Sequence, residues 1–287
     1  STELTVSDNS TEGMLRRYIA TKRIEGKAES TLRRYWEQNL KLIQFLQKPL
    51  HEIITDDIRF YMAYRRQQGR VSNRTLDGMR RCYRSFFSWL SAEGIISRNP
   101  CAALNQIKSR KQIKKPYSAV ELELIRKSCT DDRDLALVEF LYSTGCRVSE
   151  VSELDTVDID MTTGECIVIG KGNKERTVYL TDVAMLHLQT YLNSRTDNSI
   201  ALFAGKGTPR LTKGGIETLL KRIGRAAGVE NVHPHRFRRT LATNLLDRGM
   251  NIQDVAMILG HADLKTTQIY CYITQTNVKS AYRKYAA

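Results

Sequence analysis

Apolar residues recur at spacings of three and four through the first hundred residues, the pattern of amphipathic helices. In "NRTLDGMRRCYRSFFSWLSAEG", Met79, Tyr83, Phe86 and Leu90 fall on one helical face. Aromatic residues at this spacing are more often packing residues than binding residues, so we expect this face to lie in a core. Residues 1–107 are therefore predicted to form a helical domain.

Polar residues in front of these patterns indicate where helices begin. Ser30, Thr55 and Ser72 each precede a helical segment and are predicted as N-caps. Ser118, followed three residues later by Glu121, predicts a capping box. A second helical region is therefore expected to begin near residue 118.

The hydrophobic period changes after "SELDTVDID". "ECIVIG" and "ERTVYL" are short and rich in β-branched residues, and "KGN" joins them, which predicts a hairpin. Gly145 ends the helical pattern before this hairpin, and helical patterns resume from Asp182. We expect a mainly α fold, in which the helical domain 117–287 contains a small antiparallel β-sheet.

Charge favours a polyanionic partner. The formal net charge is +14, and the isoelectric point is about 9.6. Such a balance is typical of nucleic-acid binding, although a charge excess that only keeps a chain in solution is the alternative. Residues 108–116, "KSRKQIKKP", carry five positive residues and no acid. They are predicted to be a solvated linker between the domains, and they can also lie along a phosphate backbone.

Basic residues in both regions are candidates for phosphate contact. In the predicted helix "NRTLDGMRRCYRSFFSWLSAEG", three arginines are expected to point away from the apolar face: Arg80, Arg81 and Arg84. The linker adds three more candidates: Lys108, Arg110 and Lys111. Phosphate contacts of this kind position a protein on double-stranded DNA without reading its sequence.

Composition excludes several classes of protein. Hydrophobic residues are 41% and charged residues 26% of the chain, the profile of a folded protein. No apolar run approaches the ~20 residues of a membrane helix, and the polar N-terminus has no apolar stretch typical of a signal peptide. The six cysteines show no CxxC or other zinc spacing, which indicates free thiols in a reducing cytoplasm. We expect no membrane partner and no metal site.

Four motifs occur in a fixed order: "YSTGCRVSEVSEL", "IGKGNKERTVYL", "HPHRFRRTLATNLLDRG" and "LGHADLKTTQIY". Together they resemble the tyrosine site-specific recombinases, the Xer and phage-integrase family. The resemblance covers the whole second domain and, more weakly, the first, which is similar to the family's helical core-binding domain. We expect the simple layout of the Xer proteins, in which no arm-binding domain precedes these two, although a trimmed chain would show the same sequence.

The resemblance implies an integrase-like enzyme that cleaves and rejoins DNA strands through a 3′-phosphotyrosine, with no metal and no cofactor. It implies two domains that clamp double-stranded DNA, and a homotetramer assembled on two DNA sites. Integration or excision of a mobile element and resolution of chromosome or plasmid dimers both remain open. The matching motif positions predict six catalytic residues: Arg147, Lys171, His235, Arg238, His261 and Tyr270.

Arginine suits the chemistry because its planar fork binds two phosphate oxygens at once and stays charged. By the resemblance, Arg147 and Arg238 clamp the phosphate and His261 donates to one of its oxygens. Glu150, three residues after Arg147, matches a supporting acidic position. Arg239 stands where the family often has histidine; it is either a further phosphate contact or a surface residue.

Two residues are expected to move protons. His235 lies three residues before Arg238, on the same face of a predicted helix, and matches the residue that accepts the tyrosine proton. Lys171 lies at the hairpin turn and matches the general acid that protonates the leaving 5′ oxygen. An exposed hairpin lysine is the alternative for Lys171, and Lys174 is its neighbour. His187 and His233 are predicted to be structural.

Tyr270 is predicted to be the nucleophile, and Tyr272 to be a packing residue. In a helical "LKTTQIYCYITQ", Tyr272 shares an apolar face with two isoleucines, Ile269 and Ile273. Tyr270 falls instead on a polar face, free to meet DNA, with three threonines: Thr266, Thr267 and Thr274. The family nucleophile also closes the motif "TTQIY".

Two other functions stay open on the sequence. A type IB topoisomerase uses similar chemistry to relax DNA, although the Xer-like motifs argue against it. A DNA-binding regulator without catalysis would explain the charge and the helical domains. It gives no reason for the six predicted catalytic residues to occur together.

Overall fold

The chain divides into two units, Ser1–Gln112 and Ile113–Ala287, at a point inside the predicted linker 108–116. The computed structural model describes six ranges of residues: 10–69, 71–109, 115–170, 174–205, 207–261 and 263–271. Within these ranges, no helix is both long and apolar enough to cross a membrane.

The described part of the first unit contains four α-helices: α1 (Thr11–Ile24), α2 (Glu29–Leu46), α3 (Thr55–Gly69) and α4 (Asn73–Ala92). The predicted apolar face of α4 is buried, since Met79 is 3% exposed and Tyr83, Phe86 and Leu90 are fully buried. Helices α1 and α2 both pack against α4. The expectation of a core built on this face is confirmed.

Three predicted N-caps of this unit have different outcomes. Ser72 caps α4, because its hydroxyl accepts a hydrogen bond from the Thr75 backbone N–H at 3.2 Å. Ser30 is not a cap: it lies inside α2, which begins at Glu29, directly after Ala28, whose carbonyl accepts the first helical hydrogen bonds. Thr55 is the first residue inside α3. Backbone hydrogen bonding therefore starts α2 two residues earlier, and α3 one residue earlier, than the predicted caps indicated.

The expectation that Arg80 points away from the core is wrong. Its side chain is 10% exposed, and its Nε donates to Asp77 at 2.9 Å. Asp77, one turn earlier on α4, also accepts from the Ile107 backbone N–H at 3.1 Å, so a carboxylate at the core's edge holds the guanidinium there. Arg81 is 62% exposed in its side chain, and Arg84 is exposed. These two stay candidates for phosphate contact.

In its described residues, the second unit contains eight α-helices: α5 (Ala119–Lys127), α6 (Asp132–Thr144), α7 (Val148–Glu153), α8 (Asp182–Ser194), α9 (Lys213–Ala227), α10 (Pro234–Asp247), α11 (Ile252–Leu259) and α12 (Leu264–Cys271). The predicted capping box of Ser118 and Glu121 opens α5. Helix α6 is apolar on most of its faces, and Leu137, Phe140 and Leu141 are fully buried. A helix with this pattern lies inside a core, and α6 packs against α8 and α10.

Among the residues that the structure describes, the small sheet has three antiparallel strands in the order β1-β2-β3: β1 (Ile159–Asp160), β2 (Glu165–Ile169) and β3 (Glu175–Tyr179). Burial alternates along β2, with Cys166 and Val168 fully buried. The Gly170 N–H donates to the Lys174 carbonyl at 2.8 Å and closes the hairpin. The prediction of a mainly α fold with a small antiparallel sheet is confirmed, while Lys171 lies outside the described residues.

Candidate active site

Arg147 owes its position to the glycine that ends α6. Gly145 has φ 60°, the left-handed conformation that glycine adopts without strain, and Arg147 then forms the N-cap of α7. A β-carbon at Gly145 would lie 2.9 Å from a methyl group of Leu241, on α10. The same glycine's carbonyl accepts a hydrogen bond from Arg238 at 2.8 Å. The turn therefore brings the two predicted phosphate-binding arginines into one region.

The C-terminal end of α11 gathers three arginines. The last carbonyls of a helix have no partner within it and carry partial negative charge. Arg176, Arg238 and Arg147 donate, in that order, to the carbonyls of residues 258–260. The Arg176 and Arg147 bonds measure 2.9 and 3.2 Å. The three arginines come from separate segments: β3, α10 and the start of α7. The partial negative charge of the carbonyls at this helix end offsets the repulsion between their guanidinium groups.

Glu150 binds two of these arginines, Arg147 and Arg176. Its carboxylate accepts from the Arg147 backbone at 2.7 Å, from the Arg147 guanidinium at 2.8 Å, and from both Nη atoms of Arg176 at 2.8 Å. Burial alone would raise the pKa of Glu150, but the bonds from Arg176 and Arg147 outweigh it and lower the pKa to about 2. The carboxylate is therefore ionised at neutral pH and holds both guanidinium groups in place.

Arg238 is the most deeply buried cation of the group, with 3% exposure. Burial and the nearby charge of Arg147 lower the pKa of Arg238 to about 10, while Tyr270 acts in the opposite direction. This pKa leaves the guanidinium charged at neutral pH. The two arginines thus form a permanent cationic pair, with the Tyr270 hydroxyl nearby.

His261 follows directly after Gly260, at the end of α11, and faces α12. Its ring stacks with that of Tyr270, with centroids 6.3 Å apart and planes at 24°. Its Nδ1 lies 2.7 Å from the Thr267 hydroxyl. Burial, followed by the charges of Arg238 and Arg147, lowers the pKa of His261 to about 4. The imidazole is therefore neutral at neutral pH in the absence of a bound anion.

The expectation that Thr267 is free to meet DNA is wrong. Thr267 is fully buried, whereas Thr266 is exposed and Tyr270 is half-buried. The reason is that the face of α12 that carries Thr267 packs against His261. The comparison of Tyr270 with Tyr272 stays a prediction, because residues 272–274 and the side chain of Ile269 lie outside what the structure describes.

The structure brings Arg147, Arg238, His261 and Tyr270 together, and the predicted supporting residue Glu150 is bonded to Arg147. Lys171 lies outside the described residues. His235 lies on the first turn of α10 with an exposed side chain, although Arg238, three residues later, is buried.

Among the predicted DNA-contacting residues, Arg239 is half-buried, and burial lowers its pKa while Tyr270 opposes this change. Lys108 is exposed, and its carbonyl accepts from Asn73 at 2.9 Å. Two of the predicted linker contacts, Arg110 and Lys111, fall outside the described residues.

Arg176 is the residue of this group that the sequence analysis missed. On β3 it pairs in register with Val168, and it lies on the same side of the strand as Val178. Both valines are fully buried. A charged residue on the core-facing side of a strand signals a buried ion pair, and that signal was present in "ERTVYL".

Comparisons with known proteins agree with this geometry. The family model described as "Phage integrase family" matches residues 109–276, and "Phage integrase, N-terminal SAM-like domain" matches residues 14–95. The chain is 32% identical to the tyrosine recombinase XerC of Oceanobacillus iheyensis, covering 93% of each protein. It is also 32% identical to XerD of the same organism, covering 92% of this chain and 94% of XerD.

The fold is similar to that of the XerH site-specific recombinase bound to a palindromic difH substrate in a post-cleavage complex. The TM-score is 0.74 at 20% identity, and the match covers 97% of this chain and 85% of XerH. These matches are recombinases, and none of them favours a topoisomerase or a non-catalytic regulator. With the family model spanning most of the second unit and relatives similar along nearly their whole length, the chain belongs to the phage integrase family of tyrosine site-specific recombinases, enzymes that cleave and rejoin DNA.

Proposed function

We propose that Tyr270 is the nucleophile of this recombinase and that Arg147, Arg238 and His261 bind the scissile phosphate. The observation that carries the proposal is the meeting of these side chains at the end of α11, with the His261 and Tyr270 rings 6.3 Å apart. Phosphoryl transfer depends mainly on positioning and on positive charge near the nonbridging oxygens. Two positively charged guanidinium groups, the buried one of Arg238 and the partly exposed one of Arg147, meet that requirement without a metal or a cofactor.

The bond changes follow from the nucleophile. The Tyr270 oxygen forms a bond to phosphorus, and the bond from phosphorus to the 5′ oxygen breaks. The 3′ end of one strand is then held as a phosphotyrosine, and the other strand ends in a 5′ hydroxyl. Because the phosphoester energy is kept in the covalent link, attack by a 5′ hydroxyl rejoins the strand without ATP.

Two protons must move in this sequence, and we assign them to His235 and Lys171. His235 takes the proton from the tyrosine hydroxyl, and Lys171 gives one to the leaving 5′ oxygen. Glu150 does not react; it orients Arg147 and Arg176 through the bonds described above. The assignments of His235 and Lys171 rest on the matching motif positions.

For DNA binding, we propose that exposed basic residues of the first unit, including Arg81, Arg84 and Lys108, contact phosphates. The net charge of +14 supports this proposal. Exchange of strands between two duplexes needs four nucleophiles, so we propose a homotetramer on two DNA sites. Mapping the covalently bound DNA ends in cells would identify the site and distinguish integration or excision of a mobile element from resolution of chromosome or plasmid dimers.

The nucleophile is tested by Tyr270→Phe, which removes only a hydroxyl. With a nicked duplex carrying the mapped site, the variant should bind DNA as the wild type does and form no covalent adduct on a denaturing gel. Tyr272→Phe is the matched control and should keep most of its cleavage activity. An adduct formed by Tyr270→Phe, or an adduct peptide carrying DNA on Tyr272, would contradict the assignment.

The general acid is tested by Lys171→Ala. Lys174→Ala, at the neighbouring lysine of the same hairpin, is the control. Lys171→Ala should slow cleavage of an ordinary substrate. A substrate with sulfur at the 5′ bridging position has a leaving group that hardly needs a proton, so its cleavage should be largely restored. Equal defects on both substrates would assign Lys171 to the surface of the hairpin instead.

A further inference from the structure

The contact between Thr267 and His261 has no part in the chemistry described so far. The Thr267 hydroxyl lies 2.7 Å from His261 Nδ1, and Thr267 is fully buried in α12. A buried hydrogen bond at this distance fixes the orientation of both groups. His261 in turn stacks on the proposed nucleophile Tyr270.

Which nitrogen of His261 carries the proton matters for its role. A neutral imidazole has an N–H on one ring nitrogen and a lone pair on the other. The hydrogen-bond partner of one nitrogen decides which of the two carries the proton. The guanidinium groups of Arg147 and Arg238 lie near the ring and disfavour its protonated form. A threonine hydroxyl can either donate to Nδ1 or accept from it, so this contact allows two arrangements.

The other helical contacts of threonine in this chain indicate which arrangement applies. Several threonine hydroxyls donate a hydrogen bond to the carbonyl four residues earlier in the helix: Thr21, Thr144, Thr190 and Thr240. Among the described residues, Thr267 makes no such bond to a carbonyl. Its proton is therefore available for His261, and the ring nitrogen is the acceptor within reach.

We propose that Thr267 is a positioning residue that donates to Nδ1 of His261 and so keeps the His261 proton on Nε2. This inference rests on the phosphate-binding role proposed for His261. With the proton on Nε2, the ring donates to a phosphate oxygen. The opposite tautomer would direct a lone pair at an anion, which is repulsive. Thr267 therefore decides whether His261 stabilises the developing charge or opposes it.

The matched variants are Thr267→Val, which keeps the branched shape and removes the hydroxyl, and Thr267→Ser, which keeps the hydroxyl. Thr243→Val controls for the loss of a buried hydroxyl, because Thr243 is 3% exposed on α10 and its hydroxyl has no partner among the described residues. We expect Thr267→Val to slow single-turnover cleavage of the nicked duplex about 10- to 100-fold with DNA binding retained. Thr267→Ser and Thr243→Val should cleave at close to the wild-type rate.

The tautomer is read directly by proton–nitrogen correlation spectra of the full chain labelled with nitrogen-15 histidine. His261→Ala identifies the His261 signals by their loss. The wild type and Thr267→Ser should carry the proton on Nε2, and Thr267→Val should shift the ring toward the Nδ1-protonated form. This readout does not respond to a role of Thr267 in packing alone.

A wild-type spectrum with the proton on Nδ1, or an unchanged tautomer or cleavage rate in Thr267→Val, would overturn this inference alone. Full cleavage by His261→Ala, which leaves no donor at this position, would instead remove the proposed role of His261, and the inference with it. The two failures are therefore distinguishable in one set of samples.

Discussion

A buried carboxylate keeps its charge only when cations and hydrogen-bond donors surround it. Glu150 is 5% exposed and accepts bonds from Arg147 and Arg176, which together lower its pKa from the ordinary 4.5 to about 2. Since the unfolded chain binds this proton more readily than the folded chain, the ionised carboxylate stabilises the fold above about pH 4.5. That contribution is lost as pH falls toward about 2.

Glu150→Gln should therefore lower the free energy of unfolding at neutral pH, by an amount on the order of 3 kcal/mol. The gap between wild type and variant should narrow as pH falls from about 5 toward about 3, where the wild-type carboxylate begins to lose its advantage. Urea unfolding across this range measures it. Glu153→Gln, at an exposed position of the same helix, is the control and should stay close to wild type at every pH. A gap independent of pH would contradict the buried ionised state.

At the scale of elements, the short helix α11 organises the site through its end. Its last carbonyls accept bonds from arginines on β3, α10 and the start of α7. The glycine that ends α11, Gly260, has φ 62°, and a β-carbon there would lie 2.9 Å from Cδ of Arg176. The site therefore depends on a residue without a side chain at this position.

Gly260→Ala should destabilise the fold and displace Arg176, with a loss of cleavage. Gly228→Ala is a close control, because Gly228 ends α9 with φ 64° and has open space around its α-carbon. Both variants strain the backbone by about 1 kcal/mol or more, and only Gly260→Ala adds the contact with Arg176. Unfolding midpoints and single-turnover cleavage should thus separate the two variants. Equal losses would show that the contact with Arg176 has no effect.

At the scale of the whole molecule, we expect positive charge to set the affinity for DNA. The excess of +14 is spread over both units, and Arg81 and Arg84 expose basic groups on α4. Binding through phosphates releases counterions, so the logarithm of the affinity falls linearly with the logarithm of salt concentration. The slope of this line is proportional to the number of phosphates that the protein neutralises.

We therefore expect a steep slope for the wild type, shallower by about 1 for Arg84→Ala. Because phosphate contacts carry no sequence information, the variant should lose the same factor on its recombination site and on a random duplex of equal length. Fluorescence anisotropy titrations at several salt concentrations measure both effects. A slope near zero, or a loss confined to the recombination site, would contradict phosphate contact by Arg84.

The sequence by itself determined the features that depend on local patterns and on motifs. Spacings of three and four identified the apolar face of α4, and the change of period located the hairpin of β2 and β3. Helix starts were harder to predict, because Ser30 and Thr55 lie inside their helices, which begin two residues and one residue earlier, respectively, than caps at these positions would allow. The four motifs indicated the family that the comparisons then confirmed.

Tertiary structure decided which side chains meet. Asp77 and the surrounding core bury Arg80, α12 turns Thr267 onto His261, and Arg176 reaches the end of α11. Each of these outcomes depends on a partner placed by folding and not on the residue's own preference. Arg147 and the carbonyl it binds at residue 260 are 113 positions apart in the chain. Periodicity reports neighbours within one element, so contacts of that length exist only once separate elements have packed.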